Sequence, residues 1–170
     1  MSAAPQLVTL AEYLDTEYEP DCDYVDGVLE ERNVGKRRHS MTQGLLSSRL
    51  LAESGKHGCD VLVEQRVQIS RSRVRIPDVC LVSKDNEAEV TQRPPLLWIE
   101  VLSPEDRWSR IQPRRDDALR FGVGTIWIVD PYLKAAWIAR LQGGTVPVTD
   151  GVLRCAAPKF EIPLTEVLPE

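Results

Sequence analysis

Two acidic side chains stand where acids are costly. Glu100 lies inside the apolar run Leu96-Leu97-Trp98-Ile99-Glu100-Val101-Leu102, opened by Pro94-Pro95 and closed by Ser103-Pro104. Such a run reads as a central strand covered on both faces, where a lone carboxylate is destabilising by several kcal/mol unless a cation or hydrogen-bond donors meet it. Asp78 stands in a similar run, Ile76-Pro77-Asp78-Val79-Cys80-Leu81-Val82. Two carboxylates on neighbouring strands, with a main-chain carbonyl beside the second, are the hard oxygen donors that Mg²⁺ or Mn²⁺ prefers. An ion so held activates a water and stabilises charge on a departing oxygen, which is what phosphodiester cleavage requires. The alternative is a buried ion pair between Glu100 and an arginine such as Arg66, Arg75 or Arg114, with Asp78 an ordinary acid after proline. These residues alone leave both open. Asp130, in Asp130-Pro131 after a strand, reads as a turn.

The elements that must position the acids are legible in outline. Thr9 and Glu12 form a capping box, and Leu10, Tyr13 and Leu14 behind it predict a short helix ending near Tyr18. Tyr24-Val25-Asp26-Gly27-Val28-Leu29 alternates around an Asp-Gly turn and predicts a hairpin. A helix follows Gly35, burying Met41, Leu45, Leu46, Leu50 and Leu51 and stopping at Gly55. Strands are expected over 60–70 and 73–82, joined by Ser70-Arg71-Ser72, with a polar loop over 83–95 before the strand of Glu100. From Arg107 to Phe121 the spacing is helical, and Pro113 suggests that the regular helix begins near Gln112. A buried strand over 125–130 and shorter strands to Val167 complete one domain spanning 1–170. Helices between strands in this order predict an α/β (α+β) fold, a mixed sheet flanked by helices.

Composition is that of a globular protein: 42% hydrophobic and 28% charged over 170 residues. No apolar stretch reaches spanning length and no secretion signal opens the chain, so no membrane partner and a cytoplasmic location are expected. Cys22, Cys59, Cys80 and Cys155 lie far apart and read as free thiols; with only His39 and His57 beside them, zinc is disfavoured. The net charge of -5 hides an asymmetry: residues 1–31 hold nine acids and no Lys or Arg, whereas 32–120 hold seventeen Lys or Arg against twelve acids. A positive working face suits a phosphodiester substrate; a scattered, solvated arrangement of the same arginines is the alternative. The cluster Lys36-Arg37-Arg38-His39 at a helix start is a candidate phosphate contact, as are Arg73 and Arg75, followed by Arg107 and Arg110.

Taken together, Pro77-Asp78, Glu100-Val101-Leu102-Ser103-Pro104, Phe121-Gly122-Val123 and Trp127-Ile128-Val129-Asp130-Pro131 resemble the Uma-two family of bacterial restriction endonucleases, within the PD-(D/E)XK nuclease superfamily. Leu10-Ala11-Glu12-Tyr13-Leu14, Val25-Asp26-Gly27-Val28-Leu29, the His39-Ser40 helix start and the 160–168 segment extend the likeness from about Leu7 to Leu168. The resemblance implies a restriction-endonuclease-like core acting on DNA, with Asp78, Glu100 and the Val101 carbonyl holding the ion and His39 near the active face. Asp23 would match the family's glutamate on the first strand. Where the superfamily has its lysine, two residues after the second acid, this chain has Leu102; the family moves that lysine to the next helix, where the matching residue is Arg114. Arginine stays protonated and cannot act as a base, so a binding module of the same fold that has lost cleavage is the competing expectation, and a structural domain a third. Helical spacing places Arg115 closer to the sheet than Arg114, so a one-residue shift would exchange their roles. Duplex cleavage needs two cuts, for which a homodimer is the common solution.

Overall fold

The computed structural model describes residues 7–33 and 35–170. Its centre is a six-stranded mixed sheet in the order β10-β9-β8-β7-β6-β3. These strands are β3 (Cys59–Val63), β6 (Val79–Ser83), β7 (Leu97–Val101), β8 (Ile126–Asp130), β9 (Ala135–Arg140) and β10 (Gly144–Pro147). Only β7 and β8 run parallel, and the helix α3 (Trp108–Phe121) connects them. A second, antiparallel sheet has the order β2-β1-β5-β4, from β1 (Cys22–Val25), β2 (Val28–Glu31), β4 (Val67–Ser70) and β5 (Arg73–Arg75). β11 (Val152–Ala156) and β12 (Lys159–Pro163) form a separate hairpin. Among the described residues the other α-helices are α1 (Leu10–Leu14) and α2 (Arg37–Ser54), with short 3₁₀ turns at Gly55–His57 and Leu164–Glu166. None is long and apolar enough to cross a membrane.

Period-two alternation divides β7 between two cores. Leu97, Ile99 and Val101 pack with Leu46 and Leu50 of α2 and with the β11–β12 hairpin. Trp98 and, beyond the strand, Leu102 pack with Ile111, Ala118 and Leu119 of α3. Glu100 shares the parity of Trp98, so its carboxylate is delivered to the α3 side. In β6 the same alternation puts Val79 and Leu81 on the α2 side. The antiparallel register pairs Val79 with Ile99 and Cys80 with Trp98; continued one step outward, it sets Asp78 across from Glu100.

The capping box at Thr9 and Glu12 is present, with both reciprocal hydrogen bonds. Asp26 (φ 51°) and Gly27 (φ 92°) form the two-residue turn of the β1–β2 hairpin, where both central residues need positive φ. All four cysteines are free and buried.

Several boundaries differ from expectation, each for a local reason. α1 ends at Leu14, with Asp15 as its C-cap. Met41 and Leu51 are exposed, because α2 presents a narrow stripe of Leu46 and Leu50 to the sheet. The two long strands predicted over 60–70 and 73–82 are four short ones in two sheets. Glu64, with φ 51°, breaks the first; Pro77, which has no N–H for a ladder, lies at the break in the second. The chain therefore passes between sheets at Ile76-Pro77-Asp78, which places Asp78 at the seam. α3 runs unbroken from Trp108 through Pro113; near the helix start the missing proline N–H removes one bond without ending the helix.

Leu46 is fully buried between α2 and the sheet. Leu46→Ala is expected to lower the stability to denaturant by about 2–5 kcal/mol, and a loss below about 1 kcal/mol in equilibrium unfolding would contradict this packing.

Candidate active site

Asp78 and Glu100 are each 3% exposed, yet both line one small polar cleft of about 30 Å³ together with Arg32, His39, Val101 and Arg114. That void holds roughly one water-sized body. The two acids do not diverge across the sheet.

Each is tightly held. Asp78 Oδ2 accepts the Val101 N–H at 2.7 Å, and Oδ1 accepts from Arg32 Nη2 at 2.6 Å with His39 Nε2 at 3.5 Å. Glu100 Oε1 accepts from Trp98 Nε1 at 2.8 Å, and Arg114 Nη2 lies 3.0 Å from both Glu100 oxygens. Arg114 also donates to Asp23 Oδ2 at 3.0 Å and to the Ile76 carbonyl at 2.7 Å. The ion-pair alternative for Glu100 is thus realised with Arg114. Arg66 is turned to Tyr13, Thr16 and Asp21.

Burial pushes the Glu100 carboxyl above its usual range, against the opposing charge of Arg114 and with Asp78 adding to the rise. Burial acts upward on Asp78 as well, but the His39 hydrogen bond, the Arg32 charge and the Val101 amide hold it below its ordinary value. For His39, burial acts downward and is outweighed by Asp78, so the imidazole is raised.

Arg114, not Arg115, reaches the acids; Arg115 bonds Asp116 and Thr145 instead. The apolar arc that favoured Arg115 ignored the length and reach of the Arg114 side chain. Asp23 is 1% exposed and reaches the site through Arg114, while its Oδ1 accepts the Ile76 N–H at 3.1 Å. Of the cations predicted to meet phosphate, Lys36 pairs with Glu105 beside the cleft, Arg37 is exposed, and Arg38 stacks over Tyr132 at 5.8 Å. Arg75 must be withdrawn from that set: it is 2% exposed and bonded to Asp23, Glu30 and Asp117. Its partners bury it, Asp23 on the neighbouring strand β1 and Asp117 on α3, which the sequence window did not reveal. Arg73 bonds Asp26 and Asp117 and does not line the cleft.

Sequence reasoning missed Arg32, Asn33, Ser103, Asp106 and Asp117. Asn33 Nδ2 donates to Asp106 Oδ1 at 2.8 Å, and Asp106 Oδ2 accepts from the Ser103 N–H and hydroxyl, closing one wall. Ser103-Pro104-Glu105-Asp106 carried a turn signal that could have located this wall; nothing local marked Arg32 as the partner of Asp78.

Among the described residues, no cluster of three or more His, Cys, Asp or Glu side chains forms a ready cation cage. Asp78, Glu100 and Asp106 bring carboxylates to the cleft, which Val101 also lines; Asp106 is taken up by Ser103 and Asn33, which leaves Asp78, Glu100 and the Val101 carbonyl as the candidate oxygen donors. These fit Mg²⁺ or Mn²⁺ in chemistry, with two arginines already neutralising the acids.

A mixed sheet with one acid on a central strand and a second at the entry to its neighbour is the arrangement expected of a restriction-endonuclease-like fold. The chain belongs to the Uma2 family, described as "Putative restriction endonuclease", which it matches over residues 10–159. Among solved structures it is similar to a "putative nuclease belonging to DUF820" from Anabaena variabilis ATCC 29413, with a TM-score of 0.82 and 20% identity, covering 94% of this chain and 97% of that one. No curated protein matches it.

Arg75 is the most enclosed arginine of the network, its side chain 3% exposed against Asp23 and Asp117. Arg75→Met removes the guanidinium shared by those carboxylates, leaving Asp23 with Arg114 alone and Asp117 with Arg73, and is expected to cost about 3 kcal/mol in unfolding experiments. Arg93→Met, at the exposed Arg93–Asp85 pair, should leave the melting curve nearly unchanged; equal losses in the two variants would contradict the assignment.

Proposed function

We propose that this chain is a divalent-metal-dependent endonuclease that hydrolyses phosphodiester bonds of DNA in the cytoplasm. The observation that carries this reading is the convergence of Asp78, just before β6, and Glu100, on the adjacent antiparallel strand β7, on one polar cleft. Membership of a family described as "Putative restriction endonuclease" supports it. Asp78, Glu100 and the Val101 carbonyl are the residues that would hold Mg²⁺ or Mn²⁺. When bound, such an ion lowers the pKa of a water and neutralises charge developing at phosphorus.

The chain's own residues divide the remaining work. The Val101 amide and Arg32 fix the orientation of Asp78. Trp98 fixes one Glu100 oxygen. Arg114 stays charged at every working pH, so it neutralises and orients but accepts no proton. Lys36, Arg37, Arg38 and His39 would meet the DNA backbone at the start of α2. Two copies related by a two-fold axis would serve the two strands.

A second reading is favoured by one observation: Arg114 engages both oxygens of Glu100. In that reading the cleft binds DNA without turning it over. Nicking of supercoiled plasmid with Mg²⁺ or Mn²⁺ separates the two. The nuclease reading predicts cutting by the wild type that falls at least roughly 100-fold in both Asp78→Asn and Glu100→Gln; cutting that survives both removes the site. A wild type that binds without cutting, while Arg114→Lys cuts, selects the binding module.

A further inference from the structure

Arg32 is the first cation of the chain and follows β2 directly. One terminal nitrogen, Nη2, donates to Asp78. The other, Nη1, is buried and has no hydrogen-bond partner among the described residues. A buried guanidinium N–H left unpaired is costly and calls for a missing acceptor. Arg32 lines the cleft, so the missing acceptor has somewhere to come from.

Two helix starts open on the same cleft, α2 through His39 and α3 through Arg110 and Ile111. Neither has a side-chain cap, and neither has an acid in its first turn, although both features are favoured at such ends. Arg37 and Arg38 stand in the first turn of α2, and Arg110 in that of α3. The nearby carboxylates are already engaged, Asp106 by Ser103 and Asn33, and Glu105 by Lys36. Uncapped helix starts beside a spare guanidinium N–H are receptors for phosphate.

We propose that Arg32 is a phosphate-binding residue: its free N–H holds a non-bridging oxygen of the DNA backbone phosphate beside Asp78, and the α2 and α3 starts receive the flanking anionic chain. This rests on the cleft being a nucleic-acid site but not on its cutting.

The test is fluorescence anisotropy of a labelled duplex oligonucleotide in EDTA, over a range of salt concentrations, so that binding is read without cleavage. Arg32→Met is expected to weaken binding about 10-fold and to reduce the slope of log affinity against log salt by about one. Arg32→Lys should retain that slope while losing affinity, because it keeps the charge and loses the fork. Arg32→Met leaves Asp78 without its cation, so Arg32→Met/Asp78→Asn is measured beside it and decides the matter if the single variant does not melt cooperatively. Unchanged affinity and slope in a folded variant overturn the proposal, as does a wild type that does not bind duplex. Arg32-dependent binding by a protein that cuts with neither Mg²⁺ nor Mn²⁺ upholds it and removes only the metal-dependent reading.

Discussion

The structure depends on how one buried guanidinium is satisfied. Arg114 donates to both oxygens of Glu100, to Asp23 and to the Ile76 carbonyl, and so ties α3 to β7, β1 and the segment between β5 and β6. Charges in this environment are tolerated only as matched sets. Asp78, Glu100 and Asp23 are matched by Arg32, Arg114 and Arg75, each acid at 3.0 Å or less from its arginine. Arg75 extends the set to Glu30 and Asp117, joining the smaller sheet to α3. The network that shapes the cleft also holds the two sheets in register.

This arrangement has a chemical consequence. In the proposed function a dication and Arg114 would compete for the same carboxylate, Glu100, which Arg114 engages through both oxygens. A lysine in place of Arg114 could shed its proton and leave as a neutral amine; arginine cannot. The proposed donor set for an ion is therefore present in a charge-balanced form, and on the proposed reading the ease with which Arg114 gives up Glu100 would decide between cleavage and binding alone. Arg32 stands in the same relation to Asp78, but with a second N–H left over.

Much of this was legible in sequence because it was local. Proline-bounded apolar runs marked the strands of Asp78 and Glu100, Thr9 with Glu12 marked a helix start, and Asp26-Gly27 marked a hairpin. Family spacing selected Arg114, where the apolar arc of α3 pointed to Arg115. What escaped notice was set by partners far along the chain. Arg75 read either as a phosphate contact or as a partner of Glu100, whereas the smaller sheet folds it against Asp23 and Asp117, and Arg32 meets Asp78 only because the β1–β2 hairpin lies beside the seam. The seam itself was hidden: the segments 60–70 and 73–82 read as continuous strands, since a left-handed Glu64 leaves no mark in an apolar pattern.

In the proposed function Asp78 and Glu100 together hold one divalent ion in this cleft. Calorimetric titration of Mn²⁺ into the wild type and Glu100→Ala addresses it without reference to cutting. The account predicts one ion per chain in the wild type and loss of that binding in the variant. Identical titrations for the two proteins, or no saturable heat in the wild type, would contradict it.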